Sequence, residues 1–154
     1  MSLNHVWQNN DTGCFISCVA MLTGKSYYEA LDILKPKANY LCHGFKTHST
    51  SKTALRLLKK VGIKAHISNL KKFSSFKKKD KHALFIIRWK EEPDQCHAVV
   101  FDHETKRFHD PYFGAALTPR QLKNLERQLD TAIVVDTLPA ATLKRKRLTH
   151  SRKN

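Results

Sequence analysis

The spacing of apolar residues changes from helical to strand-like near Gly62, and this change constrains the fold more than any other feature of the chain. Before it, helical spacing predicts a buried helix that begins near Cys14, a second between Ser26 and Pro36, and a third over 50–61. After it, short apolar runs predict strands over 63–67, 83–89, 97–101, 107–108 and 132–135. Helices followed by strands are typical of an α+β fold, so we expect N-terminal helices packed on an antiparallel sheet.

Capping and turn residues support these boundaries. Ser26, followed three residues later by Glu29, predicts the capped start of the second helix. The polar turn around Glu104 predicts a hairpin between the strands that flank it. A last helix is expected to begin at Thr118-Pro119, because proline is well suited to the first helical position.

The length and composition of the chain are those of one globular domain. Its 154 residues are 41% hydrophobic and 27% charged, which excludes a disordered or collagen-like chain. We expect one domain over 1–137. Residues 138–154 are rich in basic residues, which predicts a disordered tail.

Positive charge is the strongest compositional bias. The formal net charge is +15, and six lysines surround Phe73 and Phe76 in the segment from Lys71 to Lys81. Such a segment is typical of a solvated surface loop or short surface helix, or of a surface that binds nucleic acid or anionic lipid. The two phenylalanines favour stacking on bases. We therefore expect an acidic protein or peptide substrate, or nucleic acid bound through this segment and the 144–153 tail.

The sequence has no feature of a membrane or disulfide-rich protein. No apolar run approaches the ~20 residues of a membrane-spanning helix, and residues 1–10 have no apolar signal core. A cytoplasmic bacterial protein is expected, or an effector exported without a cleavable signal. The four cysteines are too few for a disulfide framework, so reduced thiols are expected.

Four residues have the types and the order that a cysteine nucleophile needs. Cys14 lies in the first turn of a predicted helix, where free N–H groups favour a thiolate. The predicted hairpin sets His97 beside Asp110, a general base beside a group that orients it. The backbone N–H of Cys14 and the side-chain amide of Gln8 are two donors for an oxyanion. These residues predict acyl transfer at Cys14 without a metal or organic cofactor.

Other residues compete for these roles or have plainer explanations. Cys18 lies at helical spacing among apolar residues and is expected in the core. His103 and His109 are alternative bases, although strand alternation turns His109 away from the neighbouring aspartate. Asp102 is an alternative orienter, but it should project to the face opposite His97.

Two adjacent Cys-His pairs, Cys42-His43 and Cys96-His97, raise the alternative of a zinc site. Folding would have to gather these widely spaced ligands, so we expect no metal site. Asp110 precedes a proline, which is also typical of a residue that only caps a turn.

The order Gln8, Cys14, His97 and Asp110 followed by proline resembles that of the papain-like cysteine peptidase superfamily. The resemblance covers roughly residues 5–136 and is greatest to the compact bacteriocin-processing peptidases that cleave double-glycine leaders. It implies a papain-like fold in which Cys14 is the nucleophile and His97 the general base and acid. It also implies that Asp110 orients His97 and that Gln8 stabilises the oxyanion.

The sequence departs from that family in two respects. Gly13 and Phe15 flank the cysteine where leader peptidases usually have an acid and a glycine, and the 154 residues hold no transporter module. We therefore expect a stand-alone thiol protease or amidase with another substrate; the same triad also serves acyltransferases and transglutaminases. Two alternatives stay open, a basic nucleic-acid-binding protein and a catalytically silent papain-like domain that binds a peptide.

Overall fold

The computed structural model describes residues 2–9, 13–34, 47–92 and 95–139, without the side chains of 47–50. Its helices are α1 (Cys14–Thr23), α2 (Tyr27–Leu34), α3 (Thr47–Lys60), α4 (Phe73–Lys77) and α5 (Pro119–Arg127). Its strands are β1 (Lys64–Ser68), β2 (Ala83–Arg88), β3 (Cys96–Asp102), β4 (Arg107–His109) and β5 (Leu129–Thr137). The predicted α+β class is confirmed, and the predicted ends of the elements differ from these by a few residues.

The Cys42-His43 pair lies outside the described residues, and so does the predicted basic tail from residue 140 onward. The first two tail residues are described, and they pack on the domain. Leu138 contacts the hydrophobic core. Pro139 lies beside Gly62: a Cβ added to Gly62 would be in van der Waals contact with the proline ring, at 3.5 Å. The packed part of the chain therefore continues past the predicted boundary at residue 137.

The ends of the helices are explained by local capping. α1 ends at Gly24, whose φ of 68° is left-handed and suits a residue without a Cβ. The Ser26 hydroxyl accepts a hydrogen bond from the Glu29 N–H at 3.1 Å, as the sequence predicts for α2. A complete capping box starts α5, where Thr118 and Gln121 each accept a hydrogen bond from the other's backbone N–H.

The five strands form one antiparallel sheet in the order β1-β5-β2-β3-β4. The predicted hairpin between β3 and β4 is present, with Val100 opposite His109 and Asp102 opposite Arg107. The sequence does not predict the place of β5, which lies between β1 and β2 although it is last in the chain.

Helices cover both faces of this sheet. On one face, α1, α2 and α3 pack on inward side chains such as Leu84, Val100 and Ile133. On the other, α4 and α5 pack on the alternate side chains, such as Phe85 and Val99. The expectation of N-terminal helices on an antiparallel sheet is thus confirmed for one face, and the second helical layer is an addition to it.

The lysine-rich segment from Lys71 to Lys81 does not present its aromatic side chains to solvent. Phe73 and Phe76 are only 4% and 1% exposed, and both pack with Phe85 in the second core. The expectation that they stack on bases is therefore wrong: three residues apart on a helix, they lie on the face that packs on the sheet.

No helix in the described ranges has the length and apolar character needed to cross a bilayer.

Candidate active site

The predicted base and orienter are in direct contact. His97 Nε2 lies 2.8 Å from Asp110 Oδ1, and both residues are buried. The contact results from the hairpin register: because Val100 faces His109, Asp110 continues opposite Val99, two residues from His97 and on the same face of the sheet.

The carboxylate of Asp110 also holds the turn after β4. Its Oδ1 accepts hydrogen bonds from the backbone N–H groups of Tyr112, at 2.8 Å, and Phe113, at 3.2 Å. The backbone of Asp110 pairs in both directions with that of Gly114. Asp110 therefore caps the turn and contacts His97 through one side chain, which is fully buried.

An indole ring covers the imidazole of His97. Trp89 stacks on it with ring centroids 5.7 Å apart and an interplanar angle of 20°. Since His97 lies directly opposite Ile87 in the sheet, this stack lies on the face covered by α4 and α5. The stack limits the access of water to the His97–Asp110 hydrogen bond. The strand pattern of the sequence does not predict the contact between Trp89 and His97.

Cys14 is the first residue of α1 and is 1% exposed. The residue before it, Gly13, is packed against Tyr27, and a Cβ at position 13 would collide with the phenol oxygen. Gly13 has no side chain that could cap α1, and the first backbone N–H groups of a helix point toward its start.

α1 packs directly on β3, the strand that begins with Cys96 and His97. Cys14 belongs to the core on the α1 face, whereas His97 lies on the opposite face. The structure therefore brings the two residues to neighbouring elements but to different faces of the sheet.

The segment that carries Gln8 is fixed against the turn at Asp110. The backbone N–H of Gln8 donates to the carbonyl of Pro111 at 3.1 Å. One residue earlier, the ring of Trp7 lies against Gly114, and a Cβ added to Gly114 would be 3.0 Å from that ring. Gly114 also has a φ of +99°, which favours glycine. These contacts bring Gln8 to the same end of the sheet as the His97–Asp110 pair, and Gln8 precedes Cys14 by six positions in the sequence.

The competing residues lie on the other face of the hairpin, as strand alternation predicts. Asp102 is fully buried and accepts hydrogen bonds from the backbone N–H groups of Leu3, at 2.8 Å, and Glu104, at 2.9 Å. Burial alone would raise the pKa of Asp102, but these hydrogen bonds more than offset it and keep the pKa below its ordinary value. His103 is only partly buried, and its ring lies tilted against that of His82, with centroids 4.4 Å apart.

Two buried histidines, His82 and His109, lie near Asp102, and the half-buried His5 contacts His109. His109 Nδ1 lies 3.1 Å from His5 Nδ1, and His82 lies 3.7 Å from the Asp102 carboxylate. Burial lowers the pKa of His109, and the nearby His5 lowers it further. Burial also lowers the pKa of His5, against an opposing effect of Asp110. His5 and His82 carry no sequence signal for this site, because only the folded chain brings His5 to His109 and His82 to Asp102.

Two expectations from the sequence concern the cysteines and metal binding. Cys14, Cys18 and Cys96 are reduced thiols, and Cys18 is fully buried in the core as expected. Within the ranges that the structure describes, no three His, Cys, Asp or Glu side chains are grouped so that they would hold a metal ion.

Comparison with known proteins does not identify a family for this chain. No protein-family model matches it, and no curated protein is significantly similar to it. The relation to papain-like peptidases consequently depends on the order of four residues and on the geometry around His97 and Asp110.

Proposed function

We propose that this protein is a cysteine-dependent acyl-transfer enzyme of papain-like type, most simply a peptidase or amidase. One observation carries the proposal: a buried His97–Asp110 pair, shielded by an indole ring, on the strand against which the Cys14 helix packs. A histidine fixed by a buried carboxylate is the arrangement that a general base needs. The hydrogen bond at Nε2 leaves Nδ1 as the nitrogen that would exchange a proton with the thiol.

In the proposed reaction, His97 Nδ1 takes the proton of the Cys14 thiol, and the sulfur attacks the carbonyl carbon of an amide. The carbonyl π bond opens, and its electron pair becomes an oxyanion that accepts hydrogen bonds from the Cys14 N–H and the Gln8 side-chain amide. When the C–N bond breaks, His97 returns its proton to the leaving amine. Water then attacks the thioester with His97 again as base, which releases the acid and the free thiol. An amine in place of water would give acyl transfer.

Asp110 has two effects in this scheme. Its carboxylate holds the imidazole with Nδ1 free and stabilises the imidazolium that forms when the thiol is deprotonated. Because the same oxygen also binds two backbone N–H groups of the turn, the carboxylate is fixed in place without help from His97.

The test is the pH dependence of the Cys14 thiolate. Iodoacetamide alkylation with peptide mapping separates Cys14 from the other thiols, and Cys18 in the same helix is the internal control for a buried cysteine. We expect Cys14 to react at about pH 6, well below an ordinary thiol pKa of about 8.5, and to lose this reactivity in His97→Ala.

Cys14 is almost fully buried, so slow alkylation alone would be ambiguous. Ultraviolet absorbance of the thiolate, which needs no reagent access, is therefore titrated in parallel, with Cys14→Ser as the blank. A Cys14 thiolate that forms only near the pH of a free cysteine in both native protein and His97→Ala contradicts the proposal. That result would support the catalytically silent, peptide-binding alternative.

A further inference from the structure

A basic groove runs along the exposed side of α5. Its walls are the residues that precede α4 and the outer face of α5, and five cationic side chains line it: Lys71, Lys72, Arg120, Lys123 and Arg127. We refer to it as the α5 groove. The three α5 cations are three and four residues apart, so they project from one face of the helix. The positive charge is thus concentrated by two elements that are distant in sequence.

The charge of the α5 groove is not neutralised within the protein. All five cationic residues are exposed, and none forms an ion pair with a carboxylate within the described ranges. Glu126, which also lines the groove, uses Oε2 to accept a hydrogen bond from the Phe73 N–H at 2.7 Å. The acid in the groove is therefore engaged at the start of α4. Lys71 donates to the Asp130 carbonyl and Arg127 to the Asn124 amide oxygen, but both acceptors are neutral and leave the positive charge in place.

The α5 groove leads toward the His97–Asp110 pair. Asn124 and Arg127 line both this groove and an adjoining depression, and Trp89 lies in that depression. Trp89 is the residue whose ring stacks on His97. A ligand extended along the groove would therefore reach the indole that covers the proposed general base.

We propose that the α5 groove binds an acidic segment of the polypeptide substrate and directs the neighbouring part of that chain to the site at His97. This inference rests on the proposed function, whose substrate class it specifies. Carboxylate side chains of the substrate would pair with the five groove cations, and a basic groove raises the local concentration of such a segment.

The surroundings favour an acidic peptide over nucleic acid. The basic segment holds Phe73 and Phe76, but both are buried, and none of the described residues that line the α5 groove has an aromatic ring on which a base would stack. Glu91 and Glu92 line the adjoining depression and would repel a continuous phosphate backbone at that point. A peptide with acidic residues confined to one segment avoids this repulsion.

The experiment measures peptide binding in the full chain with Cys14→Ala, so that no turnover occurs. The probe is a fluorescein-labelled Glu/Gly peptide of about ten residues, which extends over roughly 33 Å, followed by fluorescence anisotropy at about 50 mM salt. A Gln/Gly peptide of equal length is the neutral control. We expect the acidic peptide to bind and the neutral peptide to bind at least about tenfold more weakly.

Charge reversal then locates the binding surface. The variant Lys123→Glu/Arg127→Glu should weaken binding of the acidic peptide at least about tenfold. The matched control, Lys59→Glu/Lys60→Glu, makes the same change in net charge at exposed positions of α3 and should alter binding less than about twofold. Equal loss in both variants, or none in the groove variant, overturns the proposal.

A nucleic-acid ligand gives a different result. If a labelled single strand of about twelve nucleotides binds more tightly than the acidic peptide and loses binding in the groove variant only, the peptide proposal is overturned in favour of nucleic acid. All binding is measured without the Cys14 thiol, so the two proposals fail separately. Absence of peptide binding would overturn the groove proposal but not the proposed catalysis, and an ordinary thiol titration would overturn the catalysis but not the measured binding.

Discussion

A single oxygen atom of Asp110 connects the proposed catalytic base to the backbone turn beside it. Oδ1 contacts His97 and two backbone N–H groups, so the position of the imidazole and the shape of the turn depend on the same atom. A substitution at Asp110 can therefore affect the proposed catalytic base, the turn or both, according to the charge and the hydrogen bonds that the new side chain retains.

Asp110→Asn should separate these two effects. The amide oxygen retains the turn, but the side chain is neutral and no longer stabilises a charged imidazole. We expect the rate of Cys14 alkylation at about pH 6 to fall by about 10²- to 10⁴-fold, with the urea midpoint nearly unchanged. Asp110→Ala should in addition lower the free energy of unfolding by about 1–3 kcal/mol, since buried N–H groups lose their acceptor. An Asn variant with native alkylation would remove Asp110 from the mechanism.

At the scale of residues, local periodicity and strand pairing make some contacts predictable from the sequence. A short hairpin sets His97 beside Asp110, and strand alternation turns Asp102 and His109 the opposite way. Trp89 against His97 and His5 against His109 could not be predicted in this way. The first contact depends on how the ends of the strands pack, and the second depends on how the N-terminal segment packs.

At the scale of elements, the sequence predicts α4 only in part. Six lysines dominate the segment and predict a solvated loop or a short surface helix, and α4 is such a helix. The sequence does not predict that two phenylalanines one turn apart pack this helix on the core. The amphipathic pattern is only one turn long, too short to be distinguished from a charged loop with two scattered aromatic residues.

Phe76→Ala tests the buried position of α4. Loss of a fully buried aromatic side chain should lower the free energy of unfolding by about 3–5 kcal/mol, measured by urea denaturation. The adjacent Lys77→Ala, at an exposed position, should change it by less than about 0.5 kcal/mol. Equal, small effects of the two substitutions would mean that Phe76 is a surface residue.

The capping box of α5 provides a second test at this scale. Thr118→Ala removes the acceptor for the Gln121 N–H and should lower the free energy of unfolding by about 1 kcal/mol, whereas Thr118→Ser should retain native stability. Because α5 carries three cations of the α5 groove, we also expect the alanine variant to bind the acidic peptide more weakly. Native stability in Thr118→Ala would show that α5 is held by packing alone.

At the scale of the whole molecule, the buried histidines should make stability depend on pH. The folded-state pKa of His109 and of His5 lies below the ordinary value. As pH falls below about 6.5, the unfolded chain takes up protons that the folded protein does not bind, so the free energy of unfolding decreases. Asp102, whose pKa is also depressed, adds a further loss only below the ordinary carboxyl range.

Urea unfolding at several pH values between 7 and 5 measures this effect. Each proton taken up on unfolding contributes at most about 1.4 kcal/mol per pH unit. In His109→Gln, which lacks one of these histidines, the loss of stability over this range should be smaller. A slope equal to that of the native protein would exclude the His5–His109 pair as its source.

The overall architecture could be predicted only in part. Helices before strands give the α+β class, and a short turn gives the β3–β4 hairpin. The strand order could not be inferred, because nothing local in β5 identifies β1 and β2 as its neighbours. The second helical layer could not be inferred either, because α4 and α5 come from separate parts of the chain and pack on the face of the sheet opposite α1.

The central place of β5 has a consequence for synthesis of the protein. β5 pairs with β1 on one side and with β2 on the other, so a nascent chain shorter than about 137 residues leaves both of those strands with an unpaired edge. The β2–β3–β4 meander can form early, but β1 has no partner until the last strand emerges. During translation, these unpaired edges are open to pairing with other chains, and folding should be completed only when translation has passed Thr137.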